Sequence, residues 1–296
     1  MNIRLAACAI SAALVFGVLY SAPPADTASN IDAIRAQAEA GDASSQLMLA
    51  FAYHTGNGVP KDAVEGNKWF RRAADQGNAR AQYQVGVGFL FGNGLPKDGV
   101  EALKWFRLAA NQGYAPAQTE MGAAYRNGFV LAKDYVEACK WFRLAADQGN
   151  ADACTSLGYA YTNGEGVAKD SVEACKWFRL GAEQGNARAQ ANLGIQFITG
   201  NGVPKDAVEA CKWFRLAADQ GDVTGQYMLG RSFILGEGVK EDYVQGYMWV
   251  FLAAAQDEPS AVTFRDALEK EISAGQISEG RKQAREWKPK AKTSAP

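Results

Sequence analysis

Residues 79–114 read ARAQYQVGVGFLFGNGLPKDGVEALKWFRLAANQGY, and residues 151–186 read ADACTSLGYAYTNGEGVAKDSVEACKWFRLGAEQGN. Laid side by side without a gap, the two stretches share Ala81 with Ala153, Gly92 with Gly164, Asp98 with Asp170, Trp105 with Trp177 and Gln112 with Gln184. The same register runs further in both directions. Trp69, Trp105, Trp141, Trp177, Trp213 and Trp249 are separated by 36 residues each, as are Gly56 to Gly236, Asp62 to Asp242 and Gln76 to Gln256. Four residue types on one period define six units: 43–78, 79–114, 115–150, 151–186, 187–222 and 223–258. A fixed period of this length is the mark of a stacked repeat architecture.

Each unit reads as two helices. In the second, Ala79, Gln82, Val85 and Phe89 recur at helical spacing, and Gly92 can take the left-handed conformation that ends a helix. Asn93 to Pro96 turns the chain, and Asp98 caps the next helix. Glu101, three residues on, is expected to complete a capping box by accepting from the Asp98 backbone N–H. The second helix carries Val100, Leu103, Phe106 and Ala109 and stops at Gly113, so most of the 31 glycines read as helix stops. The third unit lacks the second turn glycine at Val130 and is expected to turn differently; the sixth has Asp257 where the others have a terminal glycine. One helical hairpin cannot bury enough apolar surface to fold alone, so the units must stack.

The pattern A-x-A-Q-x-x-L-G-x-x-(Y/F)-x-x-G-x-G-V-x-K-D-x-V-E-A-x-K-W-F-R-x-A-A-x-Q-G-N resembles the Sel-one-like repeat, a relative of the tetratricopeptide repeat, over residues 43–258. The fold expected is an all-α, right-handed solenoid of stacked helix-turn-helix repeats. The resemblance also implies a concave groove, lined by the first helices, that holds extended peptides or partner helices. The repeat-variable positions place Arg80, Tyr83, Phe91, Arg126, Tyr159, Arg188, Ile195, Tyr227 and Arg231 in that groove. Residues constant in all units, Val64 and its equivalents among them, are assigned to the structural frame.

The ends read differently. Residues 1–24 have the form of an export signal, with Arg4 before an uncharged run from Leu5 to Tyr20 and cleavage expected between Ser21 and Ala28. The alternative is a retained anchor, for which sixteen residues are short. Residues 25–42 supply a linker and an amino-terminal capping helix; 259–287 supply carboxy-terminal capping helices, with Gln276 completing a capping box; 288–296 form a basic flexible tail. Length alone, 296 residues, suggests two domains, whereas the repeat suggests one continuous array.

Composition narrows function. The 31 basic and 32 acidic residues leave a net charge of -1, which disfavours nucleic acid, and membrane contact is expected only through the signal segment or the basic tail. A single histidine, His54, leaves a catalytic triad with one possible base and a His-rich zinc site with none to spare. His54 is placed at the edge of the groove. There is no phosphate-binding loop, no H-E-x-x-H, no C-x-x-C and no S-x-x-K. Cys139, Cys175 and Cys211 occupy equivalent places one helix-packing distance apart, too far for a disulfide, so they and Cys154 read as buried inert thiols. No catalytic residue, metal or cofactor is assigned. The expected activity is protein or peptide binding by an exported, periplasmic or secreted adaptor. A weak hydrolase acting on β-lactam or cell-wall substrates and a secreted effector binding a host protein are the alternatives.

Overall fold

A computed structural model describes residues 27–290, in fifteen helices with no strand among the described residues. The helix α1 (Thr27–Glu39) precedes the repeats. Each repeat then supplies a pair: α2 (Ala43–Thr55) and α3 (Ala63–Asp75), α4 (Ala79–Phe91) and α5 (Gly99–Asn111), α6 (Ala115–Asn127) and α7 (Tyr135–Ala146). The last three pairs are α8 (Ala151–Asn163) and α9 (Ser171–Glu183), α10 (Ala187–Thr199) and α11 (Ala207–Asp219), and α12 (Val223–Leu235) and α13 (Tyr243–Ala254). α14 (Pro259–Leu268) and α15 (Ala274–Glu286) follow. The signal reading falls on residues outside those described.

The helices gather into two compact units, divided between Ala109 and Ala110. The first has its core on Leu49, Phe51, Trp69, Phe70, Val85 and Trp105, with Ile31 and Ala38 of α1 closing one end. The second builds on Phe142, Leu157 and Trp177, and then on Phe178, Leu193, Phe214, Leu229 and Trp249.

The helix boundaries follow local chemistry. Gly56, Gly92, Gly128, Gly164, Gly200 and Gly236 all take positive φ at the ends of the first helices. Asp62, Asp98 and Asp170 each accept from two backbone N–H groups of the following helix. The capping boxes expected at Glu101 and its equivalents are not formed. The Asp98 N–H is taken by the Phe89 carbonyl at 2.9 Å, and Glu101 pairs instead with Lys104 at 2.5 Å. The same exchange recurs at Asp170, bonded to the Tyr161 carbonyl, with Glu173 on Lys176. A carbonyl delivered by the folded hairpin outcompetes a side chain that would have to give up rotamer freedom. In α15, where no such carbonyl arrives, Ser273 and Gln276 do form the box.

The glycines divide into two sets. Besides the helix stops, Gly86, Gly122, Gly158 and Gly194 lie in mid-helix, where an added Cβ would meet the ring of Phe106, Phe142, Phe178 or Phe214 at 2.5–2.6 Å. This series sets how closely the two helices of a repeat approach. The turn of the third repeat is not different in backbone: Val130 has φ +68°, the conformation Gly94 and Gly166 adopt in their repeats. Asp257 likewise takes φ +59° in place of a terminal glycine.

Neighbouring repeats are joined by two recurring contacts. An arginine of one second helix lies over the indole of the next, Arg71 on Trp105 and Arg143 on Trp177. Gln190, fully buried, donates to the Ala182 carbonyl of the preceding repeat and accepts from Gln220. One constant position is not part of the core: Val64, Val100, Val136, Val172 and Val208 are each more than half exposed, and Val244 is partly buried.

At the carboxy-terminal end the buried Tyr247 hydroxyl donates to Glu269, and Arg281 bonds to both. Lys290, the last described residue, donates its backbone N–H to the Asp219 carbonyl and pairs with the Asp219 carboxylate at 2.9 Å. The beginning of the basic tail is therefore held against α11.

Candidate functional site

A helix packed on one side leaves a stripe of positions free, and the stripe must advance by four and three residues in turn. On α8, Asp152, Ser156, Tyr159 and Asn163 are all at least partly exposed, while Ala153, Cys154, Thr155, Leu157 and Gly158 between them are buried. Arg188, Asn192, Ile195 and Thr199 repeat this on α10, and Thr224, Met228, Arg231 and Leu235 on α12. On α6 the positions hold Pro116, Glu120, Ala123 and Asn127.

This stripe keeps part of the sequence-derived set and replaces the rest. Arg188 and Arg231 are exposed, and Tyr159 and Ile195 are half-buried with a face available. Ile195 also rests on the core beneath it. Arg126 is half-buried with its guanidinium over the Phe142 ring, and Tyr227 packs edge-on against Phe264 of α14. In the first unit Arg80 is half-buried over Phe51, and Phe91 is exposed. Tyr83 is 3% exposed and packs on Phe106, so it presents nothing to a partner. Its position, fifth in the first helix, is likewise buried in Thr155 and Ala191 and partly buried in Thr119 and Tyr227. The sixth position, which holds Glu120, Ser156 and Asn192, is the one sequence reasoning missed. The signal was present: it lies four residues after Asp152 or Arg188 and three before Tyr159 or Ile195.

Within the second unit the stripe is cross-linked between repeats. Asn192 donates to the Tyr159 hydroxyl at 2.7 Å, while Asn186 donates to Asp152 at 2.8 Å. The Arg188 guanidinium lies 5.7 Å from the Tyr159 ring centre, and Tyr159 meets Phe178 edge-on. These contacts fix the aromatic ring and leave the charged heads at the surface. Burial pushes the Glu120 carboxyl up to about 7, with the negative charge of Asp152 adding to the effect. Burial also raises Asp222, which caps α12, against the opposing pull of Arg188. The face thus alternates acids, arginines, one aromatic ring and aliphatic groups. That composition suits recognition of a polypeptide with mixed polar and apolar side chains.

The residues that could support chemistry lie elsewhere. His54 is not at a groove edge. It is 8% exposed, stacked beside Phe70 and wedged over Gly66, where an added Cβ would meet its ring at 2.5 Å. Burial and the charge of Lys61 lower its pKa, favouring the neutral imidazole. All four described cysteines are free and buried. Cys139 and Cys211 donate their thiols to the carbonyls of Glu165 and Glu237 in the next repeat's turn, as Asn67 does to Asn93. Burial raises each thiol, Cys154 to about 11, away from the thiolate form that a nucleophile needs. Among the described residues no group of three or more His, Cys, Asp or Glu could hold a metal, and no helix is long and apolar enough to cross a membrane.

Comparison with known proteins agrees with the repeat geometry. The Sel1 repeat profile matches residues 43–78, 79–114, 115–150, 151–186, 187–222 and 223–258. The chain is similar to c5321, a protective antigen of uropathogenic Escherichia coli with an SLR fold, at 34% identity and a TM-score of 0.73. That match covers 87% of this chain and 56% of the antigen, so the chain spans little more than half of that relative. It is also similar to a Sel1 repeat protein from Oxalobacter formigenes, at 32% identity and a TM-score of 0.68, covering 77% of this chain and 97% of the other. No protein of curated function matches the chain significantly.

Proposed function

We propose that this chain, which belongs to the Sel1 repeat family, is a non-enzymatic adaptor or scaffold of the cell envelope that holds another protein or peptide against the first-helix face of its repeats. Sel1 repeats are protein-interaction repeats and a generally non-catalytic scaffold family, which supports the class of partner. The observation that carries the choice of face is the stripe on α8, α10 and α12. There the variable residues at i, i+4, i+7 and i+11 are exposed or partly exposed, while most of the positions between them are buried. Variation at accessible positions, over a constant frame, is what a repeat needs if each unit contacts a different part of one ligand. The envelope location is supported by the signal-like residues 1–24.

A photo-crosslinking residue at Asn192 or Arg231 tests the face, with Lys140 or Lys176 on the exposed side of the second helices as reference. Adducts are expected from Asn192 and Arg231, and Arg188→Ala should weaken them. Adducts from Lys140 alone would place the partner elsewhere. Cell fractionation with intact-mass measurement tests the location. A mature chain beginning between Ser21 and Ala28 in the envelope fraction is expected; a full-length cytoplasmic chain refutes it.

A further inference from the structure

The second helix of the first repeat departs from its counterparts toward polar side chains at two places. Asn67 stands where the others carry Leu103, Cys139, Cys175, Cys211 and Tyr247, and Arg72 stands where all five others carry leucine, Leu108 and Leu144 among them. Both substitutions line one cleft of about 370 Å³ in the first unit, together with Val64, Lys68, Arg71, Val85, Gly94 and Leu95.

Of its three cations, Arg71 and Lys68 each have one acidic partner and Arg72 has none among the described residues. Arg71 lies over the Trp105 ring at 4.6 Å and Arg72 over Trp69 at 4.2 Å. A guanidinium stacked on an indole keeps its in-plane N–H edge for other acceptors. Arg71 gives only Nε to Asp75, at 3.1 Å, and Lys68 pairs with Glu65 at 2.8 Å. Arg72 has no acidic partner among the described residues, and its charge opposes that of Lys68. The fourth-repeat setting shows what is missing: Arg143 stacks on Trp177 and also donates to the Tyr161 hydroxyl at 2.8 Å. The position of Tyr161 is Phe89 in the second repeat, so Arg71 meets no phenol. The rest of the lining includes three aliphatic side chains, Val64, Val85 and Leu95.

We infer that this cleft binds an aliphatic carboxylate, its head accepting from Arg71 and Arg72 and its chain lying on Val64, Val85 and Leu95. Carboxylate matches the fork of a guanidinium. The volume lies in the range of small-ligand sites, which are mostly apolar with a few placed polar groups. A bare anion would leave the aliphatic lining unused. Two sources offer this chemistry, a free aliphatic acid and the last residue of a polypeptide. The inference does not rest on the proposed binding face, whose residues are in the other unit.

Calorimetric titration of the full chain tests it with octanoate, N-acetyl-leucine, N-acetyl-leucine amide, a peptide ending in a free leucine carboxylate, and inorganic phosphate. At least one acid should bind saturably, and the amide should bind ~10–100-fold more weakly, as loss of a charge-assisted pair requires. Arg72→Leu should weaken the acid at least ~10-fold; it installs the residue the other repeats carry, so the fold accommodates it. Lys176→Ala, on the exposed side of α9, should leave binding unchanged. Tighter octanoate identifies a free acid as ligand, and tighter N-acetyl-leucine and peptide identify a polypeptide end. Equal binding of acid and amide, competition by phosphate as strong as by the acids, parental affinity in Arg72→Leu, or no saturable binding overturns the assignment.

Discussion

Replacing Gly166 by alanine tests whether the turn of one repeat must touch the helix of the one before. Gly166 has φ +74°, and a Cβ built on it would lie 2.1 Å from the Tyr135 carbonyl oxygen and 2.3 Å from its carbon. Two costs follow. The left-handed conformation costs an L-residue ~1–2 kcal/mol, and displacing well-packed backbone costs ~1–3 kcal/mol more. Gly113 provides the reference, because it has φ +84° with nothing within 4 Å of an added Cβ. Gly113→Ala should therefore lose only the conformational part, ~1–2 kcal/mol, and Gly166→Ala ~2–5 kcal/mol in total. Urea unfolding followed by circular dichroism separates them, the midpoints being compared where the slopes agree. The displaced turn should also free the Cys139 thiol from the Glu165 carbonyl, so Cys139 should react faster with a thiol reagent in Gly166→Ala than in Gly113→Ala. Equal losses in both variants, with unchanged thiol reactivity, would refute the close-contact reasoning.

Three further outcomes are expected. Glu120, raised from its ordinary 4.5 to about 7, binds a proton in the folded state over a range where the unfolded chain has already lost it. Stability therefore falls as pH rises from 4.5 to 7, and the loss is complete above 7. Glu120→Gln should gain ~1–3 kcal/mol at pH 8, the partly exposed carboxyl reducing the full effect, and little at pH 4; a gain independent of pH contradicts this. Val130→Gly removes a β-branched residue from φ +68° and should raise the melting temperature by the equivalent of ~0.5–1 kcal/mol. A fall in melting temperature argues against strain there. Gln190→Ala removes two hydrogen bonds, one to the Ala182 carbonyl and one from the Gln220 amide, and should cost ~1–3 kcal/mol by denaturant titration; a change under ~0.5 kcal/mol would assign no inter-repeat role to Gln190.

The sequence by itself determined the period, the number of units, the helix ends and the N-cap aspartates. Each of these is fixed by residues within a few positions: a glycine that can reach positive φ, a carboxylate beside unpaired N–H groups, an apolar spacing that repeats with the helix. It also identified the cysteines as buried thiols, because equivalent positions in successive repeats cannot approach within bonding distance. The tertiary structure decided which groups meet across the hairpin and between repeats. Whether Asp98 bonds to Glu101 or to the Phe89 carbonyl, whether Tyr83 points outward or onto Phe106, and whether His54 is accessible all depend on what a second helix brings to the spot. The Arg72 cleft belongs to the same class, since its walls come from one repeat's second helix and from the first helix and turn of the next repeat. Periodicity sets the phase of a helix to within one position, and one position on a helix is about 100° of rotation. That is enough to turn Tyr83 inward and to bring Glu120, Ser156 and Asn192 to the face.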